Sequence, residues 1–143
     1  MGKLIFETES YNTIGACIEV YKELGIGLHE SIYHESLILE LTERKIPFAT
    51  EPQLQVYYKQ HLLSKTLRPD FIVYDQIIVE IKSVKQLADE HRSQILNYLK
   101  VTRKPLGFLV NFSSPKKVEI ERYINTKDNP QQSLMDLPSL MQK

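Results

Sequence analysis

The sequence predicts an α/β fold built on a mixed sheet. Three observations carry that expectation. Residues 77–82, Ile-Ile-Val-Glu-Ile-Lys, form a short apolar run with neither face clearly polar, as in a central strand covered on both sides. Three longer segments space their apolar residues as helices do. The elements then follow in the order helix, helix, a run of strands, helix, strands, which is not a regular βαβ repeat.

Over residues 10–24, Ile14, Cys17, Ile18, Tyr21 and Leu24 make a helical stripe, and Gly25 stands where a helix would stop. A second helical pattern, 29–44, is carried by Leu37, Ile38 and Leu41. Pro47 and Pro52 bracket a short extended piece. Residues 53–59 alternate loosely, with Leu54, Val56 and Tyr58 on one side, and read as a strand. After a break at Gln60-His61, a second run at 62–66 completes a hairpin. Strands are expected at 71–74 and 77–82, a third helix at 87–100, and strands at 106–112 and 118–123. Pro130 and Pro138 make 125–143 a loosely held tail with a short amphipathic turn at 134–141, so one domain is expected over 1–124.

The composition sets outer bounds. A chain of 143 residues is the size of one domain. Eighteen Lys and Arg against 18 Asp and Glu argue against a protein that coats nucleic acid non-specifically, though not against a local basic strip beside an acidic site. No apolar run approaches the roughly 20 residues that span a bilayer, and the N-terminal MGKLIFETES lacks the features of a secretory signal. One cysteine cannot form an internal disulfide framework, so a reducing, cytoplasmic location without membrane contact is expected.

The chemistry concentrates in Arg-Pro-Asp-Phe-Ile-Val-Tyr-Asp-Gln-Ile-Ile-Val-Glu-Ile-Lys, residues 68–82. Glu80 and Lys82 are two apart on a strand and share the face of Ile78. Two charges on a strand of Ile and Val are costly unless compensated. A two-residue turn at Asp75-Gln76 would put the Asp70 carboxylate on the wrong face. A three-residue loop at 74–76 pairs Val73 with Ile77 and sets Asp70 opposite Glu80, with Cβ atoms about 5 Å apart. Carboxylates that close demand a proton or a cation, and all-oxygen ligation suits Mg²⁺ or Mn²⁺. The bland alternative is a same-face Glu80–Lys82 ion pair near a strand end.

Two helices add candidates. Glu30 falls on the apolar side of the second helix, between Leu37 and Leu41 and near His34; a first-turn glutamate favoured by the helix dipole explains it equally well. In the third helix, Gln94 and Tyr98 are i,i+4 and share an arc with Leu87, His91, Ile95, Leu99 and Val101, opposite Asp89, Ser93, Asn97 and Lys100. A buried amide and phenol need partners, which a phosphate, a metal-bound water or backbone carbonyls would supply. His91 reads as a core histidine.

Other signals fail. His29 and His34 are i,i+5, about 140° apart, which is not metal-binding spacing on a helix. With a single cysteine, a structural zinc site through His29, His34 or His91 is disfavoured. Cys17 lies on an apolar stripe and reads as core. Lys100, Arg103, Lys104, Lys116 and Lys117 could contact phosphates or form a solvated face.

These residues resemble a known family. Gly27-Leu-His-Glu30-Ser-Ile-Tyr33 resembles the motif that names the GxxExxY proteins, small bacterial and archaeal members of the PD-(D/E)XK nuclease superfamily. Pro69-Asp70 followed by Glu80-Ile-Lys82 is similar to that superfamily's signature, and Gln94-Ile-Leu-Asn-Tyr98 to the QxxxY motif of its exonuclease-like branch. The match is collinear over about residues 10–123, with no departure at the signature positions.

The resemblance implies a restriction-endonuclease-like core, a mixed sheet of four or five strands flanked by helices. It implies that Asp70, Glu80 and the main-chain carbonyl of Ile81 bind a divalent metal, Mg²⁺ or Mn²⁺, with Glu30 either completing the ligand set or supporting it from behind. It implies that Lys82 activates the attacking water, and that Gln94 and Tyr98 position substrate or the lysine. The expected activity is metal-dependent hydrolysis of phosphodiester bonds in DNA or RNA, with DNA favoured over RNA as the partner. Fold membership alone does not establish activity. The alternative is an inactive nuclease-fold module for binding or assembly, open to homo-oligomer formation, which the near-neutral charge and the lack of a long basic strip favour.

Overall fold

The computed structural model describes residues 6–125, so the expected tail beyond Asn125 lies outside the described residues. Helix α1 (Glu7–Leu24) carries Glu7 and Glu9 in its first turn and Lys22 in its last, in accord with the helix dipole. It ends at Gly25, whose φ of 71° only glycine adopts without strain and whose N–H donates to the Tyr21 carbonyl at 2.9 Å. Of the expected stripe, Ile14, Cys17, Tyr21 and Leu24 pack on the core, and the buried face reaches further round the helix than the stripe did. Ser10, Thr13, Ala16, Cys17 and Val20 are buried, while Ile18 is 42% exposed. Helix α1 packs on α2 (Glu30–Glu43), which buries Tyr33, Leu37 and Leu41 in the same core.

The main sheet runs β1-β4-β5-β6-β7 in space. Its strands are β1 (Phe48–Thr50), β4 (Phe71–Val73), β5 (Ile77–Lys82), β6 (Leu106–Asn111) and β7 (Glu119–Ile124). All neighbours are antiparallel except β5 and β6, which are parallel and joined through α3 (Asp89–Thr102). Helices α1 and α2 cover one face against Phe71, Val79, Ile81, Phe108 and Val110. Helix α3 covers the other, where Ile78, Leu87, Ile95, Leu99, Leu109 and Tyr123 form a second cluster. Ile77 through Ile81 are buried, as expected of a strand between two helical layers. This mixed five-stranded sheet between helices is the restriction-endonuclease-like architecture.

At Gly107 an added Cβ would meet Ile95 Cδ1 at 3.0 Å, so its absence lets α3 lie close on β6. The strands β2 (Leu54–Tyr58) and β3 (His61–Leu67) form a separate antiparallel ribbon, with β2 resting on α3. A register shift between Gln55 and Tyr57 breaks the expected alternation, and Tyr58 is 61% exposed rather than aligned with Leu54 and Val56. No helix among the described residues is long and apolar enough to cross a membrane.

Candidate active site

The β4–β5 connection sets the register. Tyr74 and Asp75 take left-handed φ values of 55° and 60°, and the Gln76 N–H donates to the Val73 carbonyl at 3.2 Å. The three-residue loop pairs Val73 with Ile77, Ile72 with Ile78 and Phe71 with Val79. One step further, Asp70 meets the level of Glu80. Asp70 accepts the Ile81 N–H through Oδ2 at 2.8 Å, and Glu80 accepts the Asp70 N–H through Oε2 at 2.9 Å. Each carboxylate thus spends one oxygen on a main-chain amide, and the second oxygen of each has no hydrogen-bond partner among the described residues. Both polar groups of a strand residue point to the same side. The Ile81 carbonyl therefore faces the gap that its amide faces, beyond the start of β4.

Burial dominates the electrostatics. Glu80 is 5% exposed, and desolvation, reinforced by the nearby Asp70 carboxylate, pushes its pKa up to about 8. Desolvation likewise raises Asp70, and it raises Glu30, again with Asp70 as the next cause. Lys82 opposes all three of these changes. It forms no ion pair among the described residues, so the same-face Glu80–Lys82 pair is not made. Its Nζ instead donates to Gln94 Oε1 at 3.3 Å, and Gln94 Nε2 donates to the Tyr98 hydroxyl at 3.3 Å. The i,i+4 spacing on α3 builds this relay. Desolvation, followed by the Glu80 charge, raises the Tyr98 phenol.

Glu30 arrives by a braced turn. Gly27 adopts φ 93°, and the buried Tyr33 donates its hydroxyl to the Gly25 carbonyl at 2.5 Å while accepting the Leu28 N–H at 3.3 Å. The Tyr33 ring stacks on Phe112 at 4.8 Å. Ser83 Oγ donates to the Leu28 carbonyl at 2.6 Å and lies 2.7 Å from Ser113 Oγ, which accepts the Gly27 N–H at 3.1 Å. The turn is therefore fastened to the chain just beyond β5 and β6, and it starts α2 with Glu30 within the fields of Asp70 and Lys82. Among the described residues no group of three or more His, Cys, Asp and Glu side chains is disposed as a metal cluster.

The histidines separate. His29 caps α2, its Nδ1 accepting the Ser31 N–H at 3.1 Å, and His91 Nδ1 accepts the Ala88 N–H at 3.0 Å at the start of α3 instead of filling the core. Cys17 is buried, and burial pushes its thiol up to about 12, so it is inert. An open cleft of about 570 Å³ exposes Glu30 and Asp70 together with His34 and Glu51, two residues that sequence reasoning did not select for the site. His34 stacks on Phe71 at 4.5 Å and favours the ionised form of Asp70. Its i,i+4 distance from Glu30 was the available signal. Glu51, whose N–H donates to the Asp70 carbonyl at 2.9 Å, carried none.

A family model described as the PD-(D/E)XK nuclease superfamily matches residues 7–123. The crystal structure of SSO0001 is similar in fold, with a TM-score of 0.52 at 20% identity. The likeness covers 74% of this chain and 55% of that one, so this chain spans about half the length of that protein. No curated protein matches the chain. The motif order, the sheet topology and the family match agree, and the chain belongs to the PD-(D/E)XK nuclease superfamily.

Proposed function

We propose that the protein is a divalent-metal-dependent nuclease of the GxxExxY type that hydrolyses phosphodiester bonds, with DNA as the favoured substrate. The observation that carries this reading is the pair of carboxylates, Asp70 and Glu80, held opposite one another and pushed toward protonation by burial, with no cationic side chain among the described residues bonded to either. Such a pair calls for a cation, and the oxygen-only donors fit Mg²⁺ or Mn²⁺. Asp70, Glu80 and the Ile81 carbonyl would hold the ion, with Glu30 drawn in from α2. PD-(D/E)XK nucleases generally use divalent metals. When bound, the ion polarises the phosphate and lowers the pKa of a coordinated water.

The chain's own groups do the rest. The Lys82 ammonium, aimed by Gln94, orients the attacking water and offsets charge that grows on the phosphoryl oxygens. Tyr98 fixes which way the Gln94 amide faces: its hydroxyl takes the N–H, which turns the amide oxygen toward Lys82. The open cleft at Glu30 and Asp70 leaves room for a polymeric substrate.

The test is cleavage of single- and double-stranded DNA and RNA with Mg²⁺ or Mn²⁺ by the wild type and Lys82→Ala. Metal-dependent cleavage that falls by at least about a hundredfold in the variant is expected. Equal activity in both proteins, or none in either, overturns the reading.

A further inference from the structure

We propose that the β2–β3 hairpin is a nucleic-acid-binding arm that lays a phosphodiester strand against the acidic site; this rests on the nuclease reading and names the surface it requires. The fold makes little use of the hairpin for its own core. Residues 61–66 of β3 are all exposed, and the ribbon is held from one side, by β2 on α3. Arg103, at the end of α3, fixes it there. Its guanidinium lies 4.4 Å from the Tyr57 ring centre and donates to the Lys59 carbonyl.

The charge on this arm is one-sided. No Asp or Glu occurs between Glu51 and Asp70, whereas Lys59, His61, Lys65 and Arg68 all do. All four are exposed, and none forms an ion pair among the described residues. With 18 basic and 18 acidic residues in the whole chain, the rest carries a net charge of −3. The neutral total therefore hides a basic ribbon on an acidic body. Three carboxylates at the site repel phosphate, so a polyanion needs a separate positive surface to bring it there.

The arm has the right position and length. Arg68 is two residues from Asp70, so their Cα atoms are at most about 7.6 Å apart. The seven residues of β3 extend about 20 Å, the length of about six phosphates along one strand at about 3.4 Å each. Tyr58 is exposed beside Lys59, whose Nζ lies 5.5 Å from the ring centre, and offers a face on which an unpaired base can stack.

The test measures binding of a fluorescein-labelled 20-nucleotide DNA, single-stranded and duplex, in EDTA over a series of KCl concentrations. The proteins compared are the wild type, Lys65→Glu/Arg68→Glu, and a Lys116→Glu/Lys117→Glu control on a different exposed loop. The hairpin variant is expected to bind at least about tenfold more weakly, with the salt slope reduced by about 2, while the control binds as the wild type does. Unchanged binding in the hairpin variant, equal losses in both variants, or no binding by the wild type overturns the arm. Dimers lost in the hairpin variant while DNA affinity stays unchanged assign the surface to a second copy of the chain and also overturn it. The two readings fail separately. If Lys82→Ala abolishes cleavage but the hairpin variant binds and cleaves normally, the nuclease stands without the arm. If the wild type binds through the hairpin and never cleaves, the arm stands without the nuclease.

Discussion

Lys82 acts on all three carboxylates at the site, yet its hydrogen bond goes to the uncharged amide of Gln94. That choice keeps the ammonium off the oxygens that would hold a metal. In Gln94→Ala the lysine loses its acceptor and can swing onto Asp70 or Glu80, where it would compete with the ion. We expect single-turnover cleavage to fall about 10- to 100-fold, while Mn²⁺ affinity measured by titration calorimetry falls only a few-fold. An unchanged cleavage rate would remove Gln94 from the positioning of the lysine. The two halves of this relay were legible because strand and helix periodicities place Glu80 with Lys82, and Gln94 with Tyr98, on shared faces, while the link from Gln94 to the lysine came only from the family resemblance. The opposition of Asp70 and Glu80 was legible once the loop length was taken as three. Glu51 was not, because its approach to Asp70 depends on how β1 ends beside β4, and no local spacing encodes that.

Among the elements, the turn into α2 decides where Glu30 goes. Tyr33 lies one turn along the helix and reaches back to bond both Gly25 and Leu28. Tyr33→Phe keeps the stacking on Phe112 but removes both bonds. Water can replace some of this loss at a turn whose neighbours are exposed, so thermal unfolding should show a loss of about 1 kcal/mol. Cleavage should fall further than that figure suggests, because Glu30 loses its bracing; a variant with full activity would show that the turn does not place Glu30. The sequence displayed the glycine, glutamate and tyrosine of this turn but not their division of labour, since the partners Ser83 and Ser113 lie far along the chain. Helix α1 shows a second limit. Four of the five residues of its expected stripe pack on the core, but Ile18 is exposed and the small Ser10, Thr13 and Ala16, which hydrophobic spacing did not mark, are buried beside them. Periodicity weighs hydrophobicity and is blind to how near another helix comes.

For the molecule as a whole, the acidic site should cost stability, and the cost should depend on pH in a definite direction. Burial raises Glu30, Asp70 and Glu80, and the Asp70 charge adds to the rise in the other two, taking Glu80 from 4.5 to about 8. Between those two values the folded chain retains a proton that the unfolded chain releases, so folding stability falls as pH rises through this window. Every tenfold difference in proton affinity between the folded and unfolded chain corresponds to about 1.4 kcal/mol. A penalty of a few kcal/mol by pH 8 would lower the melting temperature by an amount of the order of 10 °C. A divalent cation supplies the missing charge and binds only the folded arrangement, so it should restore the loss. The measurement is a set of melting curves between pH 5 and pH 8, in EDTA and in MnCl₂. The wild type should melt progressively lower toward pH 8 in EDTA and recover in MnCl₂. Glu80→Gln keeps the acceptor for the Asp70 N–H but sheds a charge, so its pH slope should flatten. It should melt above the wild type at pH 8 in EDTA and gain little from manganese. A wild-type melting temperature that ignores both pH and manganese would mean that the carboxylates carry no uncompensated charge, and the case for a metal at this site would go with it.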